Sequence, residues 1–277
     1  MRIDAHVHLW SAAELAAYEW MTPEMEAIRR PFGPDELQAQ LVRHGFERAI
    51  LVQTLSSLAE TRAFLELAES TPFVGGVVGW VDLAAPDVAE AVAEVRAGPG
   101  GTHLVGIRHQ VHDEPDPAWI VRDDVRRGLR AVADAGLVYD LLVRSRELPA
   151  ALAAVRALPE LRVVVDHIAK PPIASGELEP WAAGMRELAR LEHVSCKLSG
   201  LVTEADWTSW TAADVLPYAS RVREWFGDER LIFGSDWPVC TLAASYDAVV
   251  ELAAQVVGTG NAAVFGGNAE RVYGLNR

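Results

Sequence analysis

His6 and His8 stand two residues apart at the end of an apolar run, Ile3-Asp4-Ala5-His6-Val7-His8-Leu9. In a strand, side chains at i and i+2 share a face, so the two imidazoles are expected to aim at one point. Two such nitrogens suit a divalent transition metal or a polar reaction centre. Histidines near a terminus can equally lie on a solvated face. Partners supplied from elsewhere in the chain decide between the two.

Candidate partners recur at the ends of other short apolar runs. Arg108, Gln110 and His112 share one face at the close of 104–111, while His109 points the other way. Asp140 falls in 138–143, His167 near the end of 162–168 with Lys170 beyond it, and Lys197 in 194–198. Asp236 follows 231–234, with Trp237 next to it, and is well placed as a base or a ligand. Each has a plainer alternative. Asp236 could cap a helix or shape a turn, His167 could be a hydrogen-bonded core histidine, and Arg108 and Lys197 could serve in ion pairs. Trp237 could simply pack. Asp166 has the opposite parity to His167 and is expected to face the covering helices or to cap a loop. His44, His103 and His193 fall on helix or loop ground and are expected to be solvated.

The elements that must hold these residues alternate. After the first strand comes a long aromatic-bearing stretch, 11–34, with Tyr18, Trp20, Met21 and Phe32, of the kind that often caps a cleft. Helices are then expected over 35–44, 58–70, 86–97, 119–135, 146–158 and 178–191, and strands over 49–54, 77–82, 104–111, 138–143, 162–168, 194–198 and 231–234. With the opening run this makes eight strands, each followed by a helix. Nearly continuous apolar strands separated by amphipathic helices require a parallel sheet covered on its outer face. Eight of them in 277 residues fit a single-domain α/β fold, the (β/α)8 TIM barrel, of about 250 residues. The runner-up is a doubly wound open sheet, but no Gly-x-Gly-x-x-Gly follows the first strand and no Gly-x-x-x-x-Gly-Lys occurs. The polar residues collected above all fall at the strand ends where a barrel carries its active site.

Composition narrows the function classes. The chain is 50% hydrophobic and 23% charged, enough for a large core and unlike a disordered segment. A formal charge of -14 spread along the chain, without a Lys/Arg stripe, argues against nucleic acid or an anionic membrane as partner. No leader and no membrane-length apolar run is read, so a cytoplasmic location is expected. Cys196 and Cys240 are too few for a disulfide framework and are expected as buried thiols. A serine hydrolase is disfavoured, because Ser199 and Ser235 lack a Gly-x-Ser-x-Gly elbow.

Five segments together carry a resemblance: Ile3-Asp-Ala-His-Val-His-Leu-Trp10, Gly106-Ile-Arg-His109, Val165-Asp-His-Ile-Ala-Lys-Pro171, Cys196-Lys-Leu-Ser-Gly200 and Ile232-Phe-Gly-Ser-Asp-Trp-Pro238, with a closing Phe265–Leu275 stretch. They resemble the amidohydrolase superfamily, and within it the amidohydrolase-related branch that holds L-fuconolactone, L-rhamnonolactone and 4-sulfomuconolactone hydrolases. The resemblance implies a reaction centre of His6, His8, His167 and Asp236, a set that in many members holds a divalent metal, often zinc. Arg108 stands where binuclear members carry a bridging ligand, so at most one metal is implied, and catalysis without metal stays open.

The function so implied is hydrolysis of a small sugar-acid or carboxylated lactone. Asp236, helped by His167, would activate water and return its proton to the ring oxygen. Arg108 and Lys197 would stabilise an oxyanion or bind a carboxylate, and His112, Asp140 and Trp237 would recognise hydroxyls. Alternatives are a metal-dependent decarboxylase or amide hydrolase of the same superfamily, for which a basic pair such as Arg108 and Lys197 would favour a dicarboxylate, and a noncatalytic small-ligand barrel. A small-molecule substrate is expected, and a homo-oligomer is left open.

Overall fold

Short valine- and isoleucine-rich runs buried on both faces favour parallel strands sealed by helices. A computed structural model describes residues 1–275, two short of the expected 1–277 domain. Among the described residues there are eight strands: β1 (Ile3–Val7), β2 (Arg48–Val52), β3 (Val74–Gly79), β4 (Leu104–Gln110), β5 (Val138–Leu142), β6 (Arg162–Val165), β7 (Val194–Leu198) and β8 (Leu231–Phe233). They pair in parallel in the order β1 to β8. A lone parallel bridge joins Val7 to Trp237, where the His8 N–H donates to the Trp237 carbonyl at 2.7 Å and the Asp236 N–H to the His6 carbonyl at 2.9 Å. These contacts bring the end of β8 onto β1 and close the barrel.

The covering helices are α1 (Pro34–His44), α2 (Leu58–Ser70), α3 (Val88–Ala97), α4 (Asp123–Asp134), α5 (Leu148–Arg156), α6 (Trp181–Ala189), α7 (Ala212–Phe226) and α8 (Tyr246–Val257). Their starts follow local chemistry. Pro34 opens α1, the Ser57 hydroxyl accepts from the Glu60 N–H at the head of α2, and Thr211 and Asp214 form a reciprocal cap on α7. The helix expected over 119–135 is divided into a short turn, Trp119–Val121, and α4. A further helix, α9 (Asn268–Tyr273), packs against β1 and β8.

Two apolar layers result. Ile3, Ala5, Ile50, Val52, Val78, Val138, Val164 and Ile232 fill the barrel with Val272 and Tyr273 of α9, and a larger cluster lies between strands and helices. Each fully buried side chain of this kind contributes about 1.5–3 kcal/mol. Stretch 11–34 holds two tight turns, Leu15–Ala17 and Pro23–Ile28. An antiparallel bridge between Trp10 and Phe32 ties its two ends together, and Phe32 meets Trp237 edge-on at 5.3 Å. Both cysteines are free and buried, and no helix among the described residues is long and apolar enough to cross a membrane.

Candidate active site

Register decides what β1 presents. Ile3 and Ala5 belong to the inner barrel cluster, so strict alternation would send His6 outward. The pairing with β2 shifts between Asp4 and Val7, and beyond that shift His6 reaches across the barrel to β4 and β7. Asp4 stays outward, accepting hydrogen bonds from the Ser235 N–H at 2.8 Å and the Tyr246 hydroxyl at 2.8 Å. It thereby ties β1 to the segment that carries Asp236.

Below His6 lies a buried ionic network. Lys197 Nζ is 3.1 Å from His6 Nδ1 and 3.0 Å from Asp166 Oδ1, and it also donates to Asp140. Arg108 donates to Asp166 Oδ2 at 3.1 Å and to the Gln53 carbonyl, with the same guanidinium 3.2 Å from His6 Nε2. Burial opposes ionisation of Asp166, but Lys197, His6 and Arg108 outweigh it and hold the carboxyl well below its ordinary range. Burial raises Asp140 to about 6 against the pull of Lys197, and the Tyr273 hydroxyl caps it at 2.8 Å. Burial, then the proximity of Lys197, keeps His6 neutral at neutral pH.

Asp166 therefore lies inside the barrel, contrary to the expectation that it would face the helices. It follows the inward Val164 by two residues, so alternation already points it inward. His167 needs a different device. β6 stops at Val165 rather than running to 168, and four residues in succession, His167, Ile168, Ala169 and Lys170, take left-handed φ values of 51, 47, 58 and 45°. For residues with a Cβ this costs about 1–2 kcal/mol each. The turn is pinned by the Trp181 indole N–H, which donates to the Ile168 carbonyl at 2.7 Å, and it brings both His167 and Lys170 to the cavity wall. His167 Nδ1 lies 2.9 Å from the Ser199 hydroxyl, and burial holds this ring neutral.

The cavity above this floor has a volume of about 560 Å³. His8, Arg108, His112, His167 and Asp236 line it, joined by Gln110 and Lys170. Asp140, Lys197 and Trp237 do not. The first two are wholly buried against each other beneath His6, and Trp237 packs on Phe32. His109 points away from the cavity, as its parity requires, stacked on Trp119 at 4.2 Å with Glu114 on its Nε2. His44, expected to be solvated, is bound to Asp247 at 2.7 Å. The wall also includes Trp20, Met25, Arg144, Thr203, Glu204 and Trp207, none of them singled out above as a site residue. Arg144 lies two residues past β5, within reach of a reading of the strand ends, whereas Glu204 and Trp207 lie on the irregular segment after β7.

One ligand atom each from His6, His167 and Asp236 falls within 4.8 Å of the others. His8 adds a fourth. Its Nδ1 is 2.8 Å from the Val52 carbonyl, which can only accept, so the hydrogen sits on Nδ1 and the Nε2 lone pair faces inward. That lone pair is 3.2 Å from His6 Nε2 and 3.4 Å from Asp236 Oδ1. Donor atoms this close together can share one cation. Around a tetrahedral zinc, neighbouring ligand atoms lie about 3.3 Å apart. Each histidine also has its second nitrogen held, by Val52, Asp166 or Ser199, as metal-binding imidazoles usually do. The donor set thus fits one divalent metal. Burial opposes the charge on Asp236, but His167, His8 and Lys170 hold its carboxyl below the ordinary value, so it is ionised at neutral pH.

Known proteins are similar to this chain over its whole length. Two proteins named L-fucono-1,5-lactonase, from Burkholderia ambifaria and Burkholderia multivorans, are 42% and 41% identical to it, covering 100% and 99% of this chain and 96% of each of theirs. A solved structure of an amidohydrolase from Burkholderia multivorans with bound zinc superposes with a TM-score of 0.93, at 40% identity over 99% of both chains. With the amidohydrolase family model matching residues 3–275, the chain belongs to that family.

Proposed function

We propose that this protein opens the ester ring of a small sugar-acid lactone by hydrolysis. The observation that carries the reading is a buried, ionised Asp236 beside His8 and His167 on the wall of a cavity large enough for a monosaccharide lactone. Full-length identity above 40% to two proteins named L-fucono-1,5-lactonase supports it.

Ring opening needs a proton removed from water, charge compensated on the carbonyl oxygen and a proton delivered to the departing ring oxygen. Asp236 takes the first proton and returns it to the ring oxygen. Arg108, fixed by Asp166 and Gln53, offers its guanidinium edge to the developing oxyanion from a position set before the substrate arrives. His6, His8, His167 and Asp236 would hold a single zinc, which when bound polarises the carbonyl and acidifies water. Asp140 and Lys197 act through His6 rather than on the substrate: they fix its ring from below. His112 and Gln110 face the sugar, and Trp20 and Met25 carry stretch 11–34 over it as a cover.

The dicarboxylate alternative loses its main support, because Arg108 and Lys197 are already committed to Asp166 and Asp140. The test is proton release from a panel of aldonolactones, L-fucono-1,5-lactone included, and of carboxylated lactones. Turnover of the neutral sugar lactones is expected. Turnover of none would overturn the reading.

A further inference from the structure

The cavity wall holds a charged group that the hydrolytic step does not use. Arg144, Lys170 and Glu204 follow three successive strands, and both cations converge on the one carboxylate. Arg144 donates to Glu204 Oε2 at 3.2 Å and Lys170 donates to Oε1. Glu204 is only 8% exposed and Lys170 16%, whereas Arg144 is half in solvent. An enclosed ion pair of this kind gains little stability over apolar packing. Lys170, moreover, reaches the wall through the four-residue left-handed turn, which costs folding energy. Both features are unfavourable for a merely structural contact.

Each oxygen of Glu204 keeps acceptor capacity after its one cation is bound, since a carboxylate accepts at about four sites. Three residues further along the same segment, Trp207 lines the cavity, its ring fixed by an indole N–H donated to the Thr203 carbonyl at 2.9 Å. A held carboxylate beside an indole suits a ring that bears hydroxyls on its edge and C–H groups on its face. The cations bordering the cavity, Arg108, Arg144 and Lys170, each pair with a carboxylate, so the wall offers acceptors to hydroxyls rather than a counter-charge to an acid.

Resting on the lactonase reading, we infer that Glu204, held by Lys170 and Arg144, is a specificity-determining residue that accepts hydrogen bonds from ring hydroxyls of a neutral polyhydroxylated lactone. The readout is the ratio of kcat/KM for an aldono-1,5-lactone to that for δ-valerolactone, which has the same ring and no hydroxyls. Glu204→Gln keeps the shape and removes the charge. It is expected to lower that ratio about 10- to 100-fold, mainly through KM of the hydroxylated substrate. Lys170→Met, which leaves the carboxylate but frees one of its oxygens, is expected to lower it by a smaller factor; thermal unfolding checks that both variants fold.

A ratio unchanged in Glu204→Gln, or a fall that strikes both lactones equally through kcat, would overturn the inference while the lactonase reading stood. Wild-type enzyme that opens lactones without preferring the hydroxylated one would overturn it too. Wild-type enzyme that opens no lactone would remove both.

Discussion

Asp236 holds a left-handed backbone, φ 59°, at the end of β8, with its N–H donating to the His6 carbonyl and its own carbonyl accepting from the Cys240 N–H at 2.8 Å. The backbone thus locks the carboxylate among His8, His6 and His167. Asp236→Asn keeps the volume and those backbone bonds while removing the base. We expect kcat to fall by about 100- to 10,000-fold with the circular dichroism spectrum unchanged. Wild-type turnover would refute the assignment. His112 offers a test of charge rather than catalysis. Burial, reinforced by Lys170, Arg144 and Arg108, pushes its imidazole down to about 3. The unfolded chain takes up a proton near pH 6.5 and the folded chain does not, so this residue's contribution is complete above that pH. It is lost as pH falls from about 6.5 towards 3, at up to about 1.4 kcal/mol per pH unit. His112→Asn should lose less stability between pH 7 and 4.5 than the wild type does in urea unfolding. Identical losses would show that His112 does not titrate this way.

At the scale of elements, the left-handed turn at 167–170 depends on a neighbouring glycine. Gly200, at φ 62°, has no room for a side chain: a Cβ there would lie 2.4 Å from His167 Nδ1. Gly176 has a similar φ of 73° but open space around it. Alanine at either site bears the conformational cost, about 1–3 kcal/mol. Only Gly200→Ala also displaces His167, so it should lose turnover at least tenfold where Gly176→Ala keeps it at a comparable melting temperature. Equal activity in the two variants would mean that the position of His167 is immaterial. This turn also explains what alternation along the strands could reveal. The i+2 rule brought His6 with His8, and Arg108 with Gln110 and His112, to one face. It failed where the backbone leaves the strand: it assigned one of Asp166 and His167 to each side, and the left-handed turn brings both inward. Depth along a strand is equally hidden from alternation. Asp140 and Lys197 point inward, yet they sit below the cavity floor, neutralising each other.

For the molecule as a whole, the barrel could be read from the alternation of apolar strands with amphipathic helices, because each strand must be buried on both faces. Cavity walls such as Glu204 and Trp207 could not, since they lie on irregular segments whose course is set by packing. The candidate metal ligands join the first strand to the last, with His6 in β1, His8 just past it and Asp236 after β8, so a ligand bound there would fasten the closure of the barrel. A ligand bound only by the folded state stabilises it by RT ln(1 + [L]/Kd), about 4 kcal/mol at a thousandfold excess over Kd. Purified protein is therefore expected to carry one equivalent of divalent metal by elemental analysis. Chelation should lower the melting temperature together with turnover, and zinc should restore both. His8→Ala should shrink the thermal shift on adding zinc, whereas Asp113→Asn, on the cavity wall after β4 and outside the metal-ligand set, should leave it intact. Protein that binds no zinc, or whose melting temperature ignores it while lactones still turn over, would shift the chemistry to Asp236 and Arg108 alone.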